Sequence, residues 1–282
     1  MTIALATALE ARDKDDDMPL LCAELAQRGM AHEVVDWDDA AIDWRRYRMV
    51  VIRSTWDYTD RLPEFLAWAE RVAALTRLIN PVAVVRWNTH KGYLLDLAAR
   101  GVPIVPTTLV RAGEPMPLIG GGEIVVKPAV SAGSRGTKRF VGDPLGAQRH
   151  GQALLERGRD VVIQPYLDRV DTLGETSLLY FAGQFSHAIR KGPLLPPNGE
   201  PTRALFAAEH ITARMPSATE LAVGAQVLAA IPFATLLYAR VDLLLDASGA
   251  PCLLELELTE PSLFFQTDAN AVVRFVDALA AL

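Results

Sequence analysis

Cysteine is scarce in this chain. Its 282 residues hold two, Cys22 and Cys252, far apart and each set among apolar neighbours. That excludes a disulfide framework and leaves two buried free thiols as the expectation. Basic charge is in deficit as well: 28 Lys and Arg stand against 34 Asp and Glu, a formal net charge of -6. A sequence-independent grip on nucleic acid needs a basic face, so no nucleic-acid partner is expected. No apolar run reaches the length of a membrane span, and no membrane partner is expected. Met1-Thr2-Ile3-Ala4-Leu5-Ala6-Thr7 lacks the basic start of a signal peptide and reads as a first strand. A soluble, cytoplasmic protein is the expectation. Internal repeats and low-complexity tracts are missing too. Apolar residues are plentiful, at 50% of the chain. They allow a sizeable core, and the length suits two small domains or one large one.

Residues 1 to about 85 alternate strand and helix. Segments 3–7, 32–36 and 48–53 read as strands. An acidic loop, 13–17, precedes a helix over 18–28 that puts Leu20, Leu21, Leu25 and Ala26 on one side and stops at Gly29. A second helix, 63–78, carries Phe65, Leu66, Ala69, Val72 and Ala73 at helical spacing. Ile79-Asn80-Pro81 closes the unit. Strands separated by helices predict a parallel α/β sheet, whose ligands lie beyond the carboxyl ends of its strands. Arg53-Ser54-Thr55-Trp56-Asp57-Tyr58 follows one such end. A helix over about 90–100 comes next, stopped by Gly101 and Pro103. Short strands then dominate, at 123–127, 137–141, 161–165, 177–181 and 184–189. Helices interrupt near 145–156 and 218–231, and a last helix runs from about 267 to 282. This second part reads as α+β with antiparallel strands. Segment 193–201 reads as a mobile Pro/Gly-rich loop.

Chemistry concentrates near the C-terminal end. Ala239-Arg240-Val241-Asp242 opens one apolar strand, Ser248-Gly249 makes a turn, and Leu254-Glu255-Leu256-Glu257-Leu258 returns as a second strand. Glu255 and Glu257, two residues apart, share a face. Three carboxylates on adjacent strands repel one another unless a cation lies between them. Oxygen ligands without His or Cys suit a hard ion, Mg²⁺ when phosphates share its coordination. The competing reading is a solvent-facing ribbon, against which the leucine-rich strands argue. Lys127 ends an apolar strand, and Ser131-Ala132-Gly133-Ser134-Arg135-Gly136-Thr137 follows. Small residues let backbone amides approach phosphate oxygens while a lysine adds a point charge. The loop is not a Walker A sequence, and similar turns occur without phosphate. Lys91 lies near a helix start. It is either a solvated lysine or one whose conflict with the helix dipole a bound anion relieves. Val161-Val162-Ile163-Gln164-Pro165-Tyr166-Leu167 is a strand broken by proline, able to offer backbone groups to a purine or to be an ordinary strand exit. Asp168 and Asp171 follow, in place to accept bonds from ribose hydroxyls.

In this order, the two lysines, the Gly-rich loop, the Gln-Pro-Tyr-Leu segment and the carboxylate hairpin resemble the ATP-grasp superfamily over most of the chain. The glutathione synthetase type ends in a Glu-x-Asn motif with a proline six residues past the glutamate. Glu255-Leu256-Glu257 and Pro261 match it, with Glu257 in the asparagine place. Carboxylate for amide keeps an oxygen ligand and adds a charge. Arg240, two residues before Asp242, matches the family's arginine. The resemblance implies an N-terminal α/β domain (1–85) and two ATP-grasp subdomains (86–167 and 168–282) that sandwich the nucleotide. It implies ATP and Mg²⁺ as cofactors, with Asp242, Glu255 and Glu257 as metal ligands. Lys91, Lys127, Ser131, Gly133, Ser134 and Gly136 would hold phosphates. Gln164, Pro165, Tyr166, Leu167 and Asp171 would hold the nucleoside. Arg240 and Lys127 would be catalytic, steadying the transferred phosphoryl group. The superfamily commonly forms dimers, so a homodimer is expected.

Arg53-Ser54-Thr55-Trp56-Asp57-Tyr58, His187-Ala188-Ile189-Arg190-Lys191-Gly192-Pro193 and Leu256-Glu257-Leu258-Thr259-Glu260-Pro261-Ser262 resemble the subgroup of the cycloserine-forming O-ureido-serine cyclo-ligase. The implied chemistry is activation of a small amino-acid-type carboxylate as an acyl phosphate, then attack by a nitrogen. No nucleophilic Ser or Cys is needed. The loop 131–137 would close and exclude water. Arg53, Ser54, Trp56, Asp57, Arg190 and Lys191 are the substrate candidates, the cations pairing with carboxylates and Asp57 with an ammonium. Surface ion pairs, and a core anchor in Trp56, are the plainer readings. His187 reads as a packed structural histidine. Three functions stand: a cyclo-ligase, a two-substrate carboxylate–amine ligase, and an inactive ATP-binding module. Asp242, Glu255 and Arg240 argue against the last.

Overall fold

The computed structural model describes residues 2–200, 210–234 and 236–282. Three sheets make the architecture. The first holds strands β1 (Thr2–Thr7), β2 (His32–Asp36), β3 (Tyr47–Ser54) and β4 (Arg77–Ile79), with helices α1 (Asp17–Gln27) and α2 (Leu62–Leu75). Its order is β2-β1-β3-β4 and every pairing is parallel. Both faces of β1 are covered, which is why Ile3-Ala4-Leu5-Ala6 reads as one apolar run without alternation. Residues 77 and 78, read from sequence as the end of a helix, and Ile79, read as the close of the unit, form β4 instead. Thr76 is extended and donates its hydroxyl to the Tyr47 carbonyl, which stops α2 and turns the chain into the sheet.

The helix expected over 90–100 is α4 (Tyr93–Ala99), and a separate helix not read from the sequence, α3 (Val82–Asn88), precedes it. The break has a cause: the Lys91 amide donates to the Ala129 carbonyl, and the Gly92 amide to His90 Nδ1. Lys91 is thereby pinned to the far end of the next sheet's central strand.

That second sheet holds β5 (Thr108–Val110), β6 (Glu123–Pro128), β7 (Lys138–Val141) and β8 (Val161–Pro165), with helix α5 (Pro144–Leu155) on its back. The order is β5-β8-β6-β7, all antiparallel. A short helix, α6 (Val170–Leu173), leads to the third sheet. This comprises β9 (Glu175–Phe181), β10 (Gln184–Lys191), β11 (Ile211–Ala213), β12 (Tyr238–Leu245) and β13 (Pro251–Glu257), in the order β11-β10-β9-β12-β13. Helices α7 (Ala218–Ala230) and α8 (Ala271–Ala280) complete the chain. The last helix starts later than its sequence suggests, after a 3-10 turn at Phe265–Thr267. The Pro/Gly-rich loop is irregular through residue 200; Pro201 lies outside the described residues.

One core joins the first and third sheets: Ile3, Leu5 and Leu21 pack with Phe181, Ile189 and Phe275. The second sheet has its own core of Val126, Phe140, Ala147 and Leu154. Tyr93, Leu94 and Leu97 of α4 pack with the third sheet. Cys22 and Cys252 are free thiols, half-buried and buried. Among the described residues no helix is long and apolar enough to cross a membrane.

Candidate active site

The hairpin forms as read, β12 antiparallel to β13, with Asp242 opposite Glu255 and Arg240 opposite Glu257. β13 is an edge strand, and side chains cover its open edge. The Leu256 amide donates to the Tyr93 hydroxyl, and Asn88 accepts from the Leu258 amide and donates to the Leu256 carbonyl. Asn80 donates to the Leu258 carbonyl. These bonds fix the strand that carries Glu255 and Glu257.

A cavity lies between the second and third sheets. Four basic side chains line it, Lys91, Lys127, Lys191 and Arg240, with four carboxylates, Glu175, Asp242, Glu255 and Glu257. Lys91 Nζ lies 2.9 Å from Glu255 Oε1 and donates to the Ser131 carbonyl at 2.9 Å and hydroxyl at 3.1 Å. Lys191 Nζ donates to Glu175 at 2.6 Å and to Asp242 at 2.9 Å. Arg240 donates to both oxygens of Asp242, at 3.0 and 2.9 Å, and pairs with Glu257. Burial raises the Asp242 carboxyl, but Arg240 and Lys191 outweigh it and hold the group well below the usual range. Burial likewise opposes Lys91 and Lys127 at Glu255, which ends below its ordinary value. Glu257 goes the other way: burial, with Glu255 and Asp242 adding to it against Arg240, pushes it up to about 7. Burial brings Lys127 down to about 8. Excess negative charge thus gathers on β13, beside a lysine that burial disfavours as a cation.

Ser131, Gly133 and Ser134 line the same cavity, as do Gln164, Pro165, Tyr166 and Leu167. Gly133 and Ser134 both have positive φ, 57° and 62°, which turns the loop back over the cavity. The Tyr166 amide donates to the Glu123 carbonyl, and Gln164 Nε2 to Thr107, so the strand exit is anchored on two sides.

A second cavity, of about 200 Å³, opens beyond the carboxyl ends of β1 and β3. Asp15 and Asp16 come from the loop after β1, Asp17 from the first position of α1, Trp56 from the segment after β3, and Glu260 and Ser262 from the chain after β13. With β2 and β3 on opposite sides of β1, this is the switch point of a parallel sheet, where ligands bind. The two cavities share Gly133, Arg240 and Glu257.

Residues 3–80 match the family described as the N-terminal domain of D-cycloserine synthetase DcsG. The cycloserine biosynthesis protein DcsG of Streptomyces lavendulae is 40% identical over 298 residues, covering 99% of this chain and 97% of that protein. The chain belongs to the D-cycloserine synthetase family of ATP-grasp ligases. The crystal structure of D-cycloserine synthetase DcsG matches it with a TM-score of 0.91 and 39% identity, over 100% of this chain and 99% of that one. The ATP-grasp ligase PsnB, solved with a phosphomimetic precursor variant, Mg and ADP, matches with a TM-score of 0.63 at 17% identity, over 99% and 97% of the two chains. That second likeness shows the fold. This cycloserine-synthetase relative is therefore an ATP-dependent ligase that forms a carbon–nitrogen bond.

In this ligase several sequence candidates lie elsewhere. Arg53 lines neither cavity. It is fully buried, 3.6 Å from Asp17, and its guanidinium nitrogens have no hydrogen-bond partner among the described residues. Asp17 in turn accepts from the backbone amides of Leu263, Phe264 and Phe265. Arg53 is thus the counter-charge of a buried clamp between the first and third sheets. Ser54 is buried against the Thr7 hydroxyl at 2.8 Å. Asp57 accepts from Trp37 Nε1, faces Arg61 and lines neither cavity. Arg190 donates to the Thr172 and Leu173 carbonyls and so caps α6. Asp171 lies outside the cavity lining, held by the Tyr166 hydroxyl at 2.6 Å and by Arg139. Gly136, also outside the lining, makes a turn with φ 71°, and an added Cβ would meet Pro128 at 3.0 Å. Trp56 does wall the second cavity, donating Nε1 to the Glu260 carbonyl. Lys191 reaches the first cavity, where its ammonium bridges Glu175 and Asp242. His187 is structural, bonded to the Leu263 carbonyl and the Ser186 hydroxyl.

Glu175, Asp15 and Glu260 escaped the sequence reading. Glu175 faces Lys191 only through the β9–β10 register. Glu260 lies three residues past the metal-type motif, where alternation has ended. Its carboxyl accepts from the buried Tyr58 hydroxyl, and burial with Glu257 nearby pushes it up to about 8. The acidic run 13–17 was a signal, but one equally typical of a solvated loop.

Proposed function

We propose that this chain is a cyclo-ligase acting on a small amino acid of the O-ureido-serine type, with ATP and Mg²⁺, and closing a cycloserine-type ring. The observation that carries this reading is the junction of the two cavities at Gly133, Arg240 and Glu257. A carboxylate bound in the second cavity meets the phosphate end of the first there. About 200 Å³ suits one small molecule, which favours ring closure over joining two partners. The cycloserine biosynthesis protein that matches from end to end supports the same choice.

Lys91 and Lys127, with Ser131, Gly133 and Ser134, are placed to hold phosphates, and Gln164 to Leu167 to hold the base. Among the described residues no three carboxylate, histidine or cysteine side chains form a metal cage by themselves. Mg²⁺ shared with a nucleotide needs none, since one or two carboxylates plus phosphate oxygens and water suffice. Asp242, Glu255 and Glu257 fit that donor set, and the upward push on Glu257 marks negative charge that a cation would relieve. When bound, Mg²⁺ neutralises charge on the phosphates. Arg240, at the junction, steadies the phosphoryl group as the carboxylate oxygen attacks it and ADP leaves. The substrate's oxygen-linked nitrogen then attacks the acyl carbon, giving up its proton as phosphate departs, and the carbamoyl group still carried by the ring leaves on hydrolysis. The units 1–85, 86–167 and 168–282 divide this work, and the separate core of the second sheet supports its closing as a lid.

The test supplies ATP, Mg²⁺ and O-ureido-serine with no added amine. The expected result is ADP together with a cyclic product. ADP formation that waits for a second amine would replace this reading with two-substrate ligation.

A further inference from the structure

The second cavity is lined by five carboxylates against two cations, Arg240 and Lys14, and Lys14 pairs with none of them among the described residues. Of its five carboxylates, Asp17 pairs with Arg53 and Glu257 with Arg240. Asp15, Asp16 and Glu260 form no ion pair among the described residues. Asp15 is 5% exposed, its Oδ1 accepts from the Asp17 amide, and its Oδ2 is buried with no hydrogen-bond partner among the described residues. Glu260 is 8% exposed, and the Tyr58 hydroxyl meets its carboxylate. A buried carboxylate oxygen without a donor is costly to keep unless a ligand supplies one.

We propose that Asp15 and Glu260 are the specificity-determining residues for the substrate's α-ammonium, clamping it from the loop after β1 and the chain after β13. This deepens the ligase reading and rests on it. The geometry sets the orientation. Arg240 stands at the junction with the first cavity, so the reacting carboxylate points there, and the ammonium points back towards Asp15 and Glu260. Trp56 lines the same cavity, its indole donating to the Glu260 carbonyl. A substrate without the ammonium leaves Asp15 Oδ2 without a donor and both carboxylates without an ion-pair partner among the described residues. The clamp thus selects zwitterionic amino acids over plain carboxylic acids.

The test compares wild type, Asp15→Asn and Glu260→Gln on O-ureido-serine and on its deamino counterpart, reading ADP release. Both variants keep the local bonds, because Asn retains an acceptor for the Asp17 amide and Gln one for the Tyr58 hydroxyl. Charge-assisted bonds of this kind correspond to roughly 10- to 100-fold. Each variant should raise the KM for O-ureido-serine by that factor and leave the KM for ATP and turnover of the deamino counterpart unchanged. Equal losses on both compounds, or unchanged discrimination, would overturn the clamp while leaving the ligase reading intact. If wild type fails to turn over O-ureido-serine, the cyclo-ligase reading falls. The same comparison on alanine, serine and threonine against their deamino counterparts then decides the clamp, and absence of any preference for the amino forms would overturn it.

Discussion

Arg53 shows how a charged residue can mislead. It lies at the carboxyl end of a strand of a ligand-binding sheet, and a cation there suggests a substrate anchor. The structure buries it completely beside Asp17, whose oxygens hold three amides of the chain at 263–265. Burial pushes the Asp17 carboxyl up and Arg53 opposes that shift. Breaking a buried pair leaves an uncompensated charge, at a cost of about 3–5 kcal/mol. Arg53→Ala should therefore lower unfolding free energy by that order in denaturant titration, while the folded fraction keeps its KM for ATP. A stable variant with an altered substrate KM would return Arg53 to the binding site. Sequence could not separate these cases, because Arg is so seldom fully buried that the surface reading dominates. The carboxylates of the hairpin were legible for the opposite reason. Alternation in a strand fixes faces without any tertiary knowledge.

At the scale of elements, the decisive piece is the open edge of β13. Strand pairing holds one side of it and Asn88 the other, through the Leu256 carbonyl and the Leu258 amide. Asn88→Ala orphans both backbone groups, each costing about 1–3 kcal/mol when buried. The expected outcome is a lower Tm, together with a kcat loss larger than any change in substrate KM, because Glu255 and Glu257 lose their fixed positions. A destabilised enzyme with unchanged kcat would show that the strand holds its place without Asn88. Nothing in the sequence named this residue, since Asn88 falls in what read as the approach to a helix. Lys91 was legible as a cation near a helix start, but what fixes its place is the bond from its amide to the Ala129 carbonyl. The Gly-rich loop is tied down similarly. Arg135 reaches Asp60 at 2.7 Å, and Arg159 meets the same carboxylate and the Thr59 carbonyl. The loop over the first cavity is thus latched to the first sheet's unit.

For the whole molecule, the order of elements in the sequence foretold a parallel α/β part followed by antiparallel strands. It did not foretell how the sheets share cores. The first and third are welded through Phe181, Phe265 and Phe275 on α1 and β1, contacts separated by most of the chain. Short edge strands such as β5 and β11 went unread because three residues carry no period. The welded pair holds the second cavity and the carboxylate hairpin, and the second sheet brings Lys127 and the loop to meet them. This convergence of the acidic hairpin with Lys91 and Lys127 on one cavity, the proposed nucleotide site, underlies every proposed role. ADP formation by Glu255→Gln against wild type, with ATP, Mg²⁺ and O-ureido-serine, examines it head-on. The amide keeps the shape of the side chain and an acceptor for Lys91 but loses the charge that a metal needs. Turnover should fall roughly 100-fold or more with Tm unchanged, the scale of losing one stabilising group at a developing charge. ADP release at the wild-type rate from that variant would contradict it.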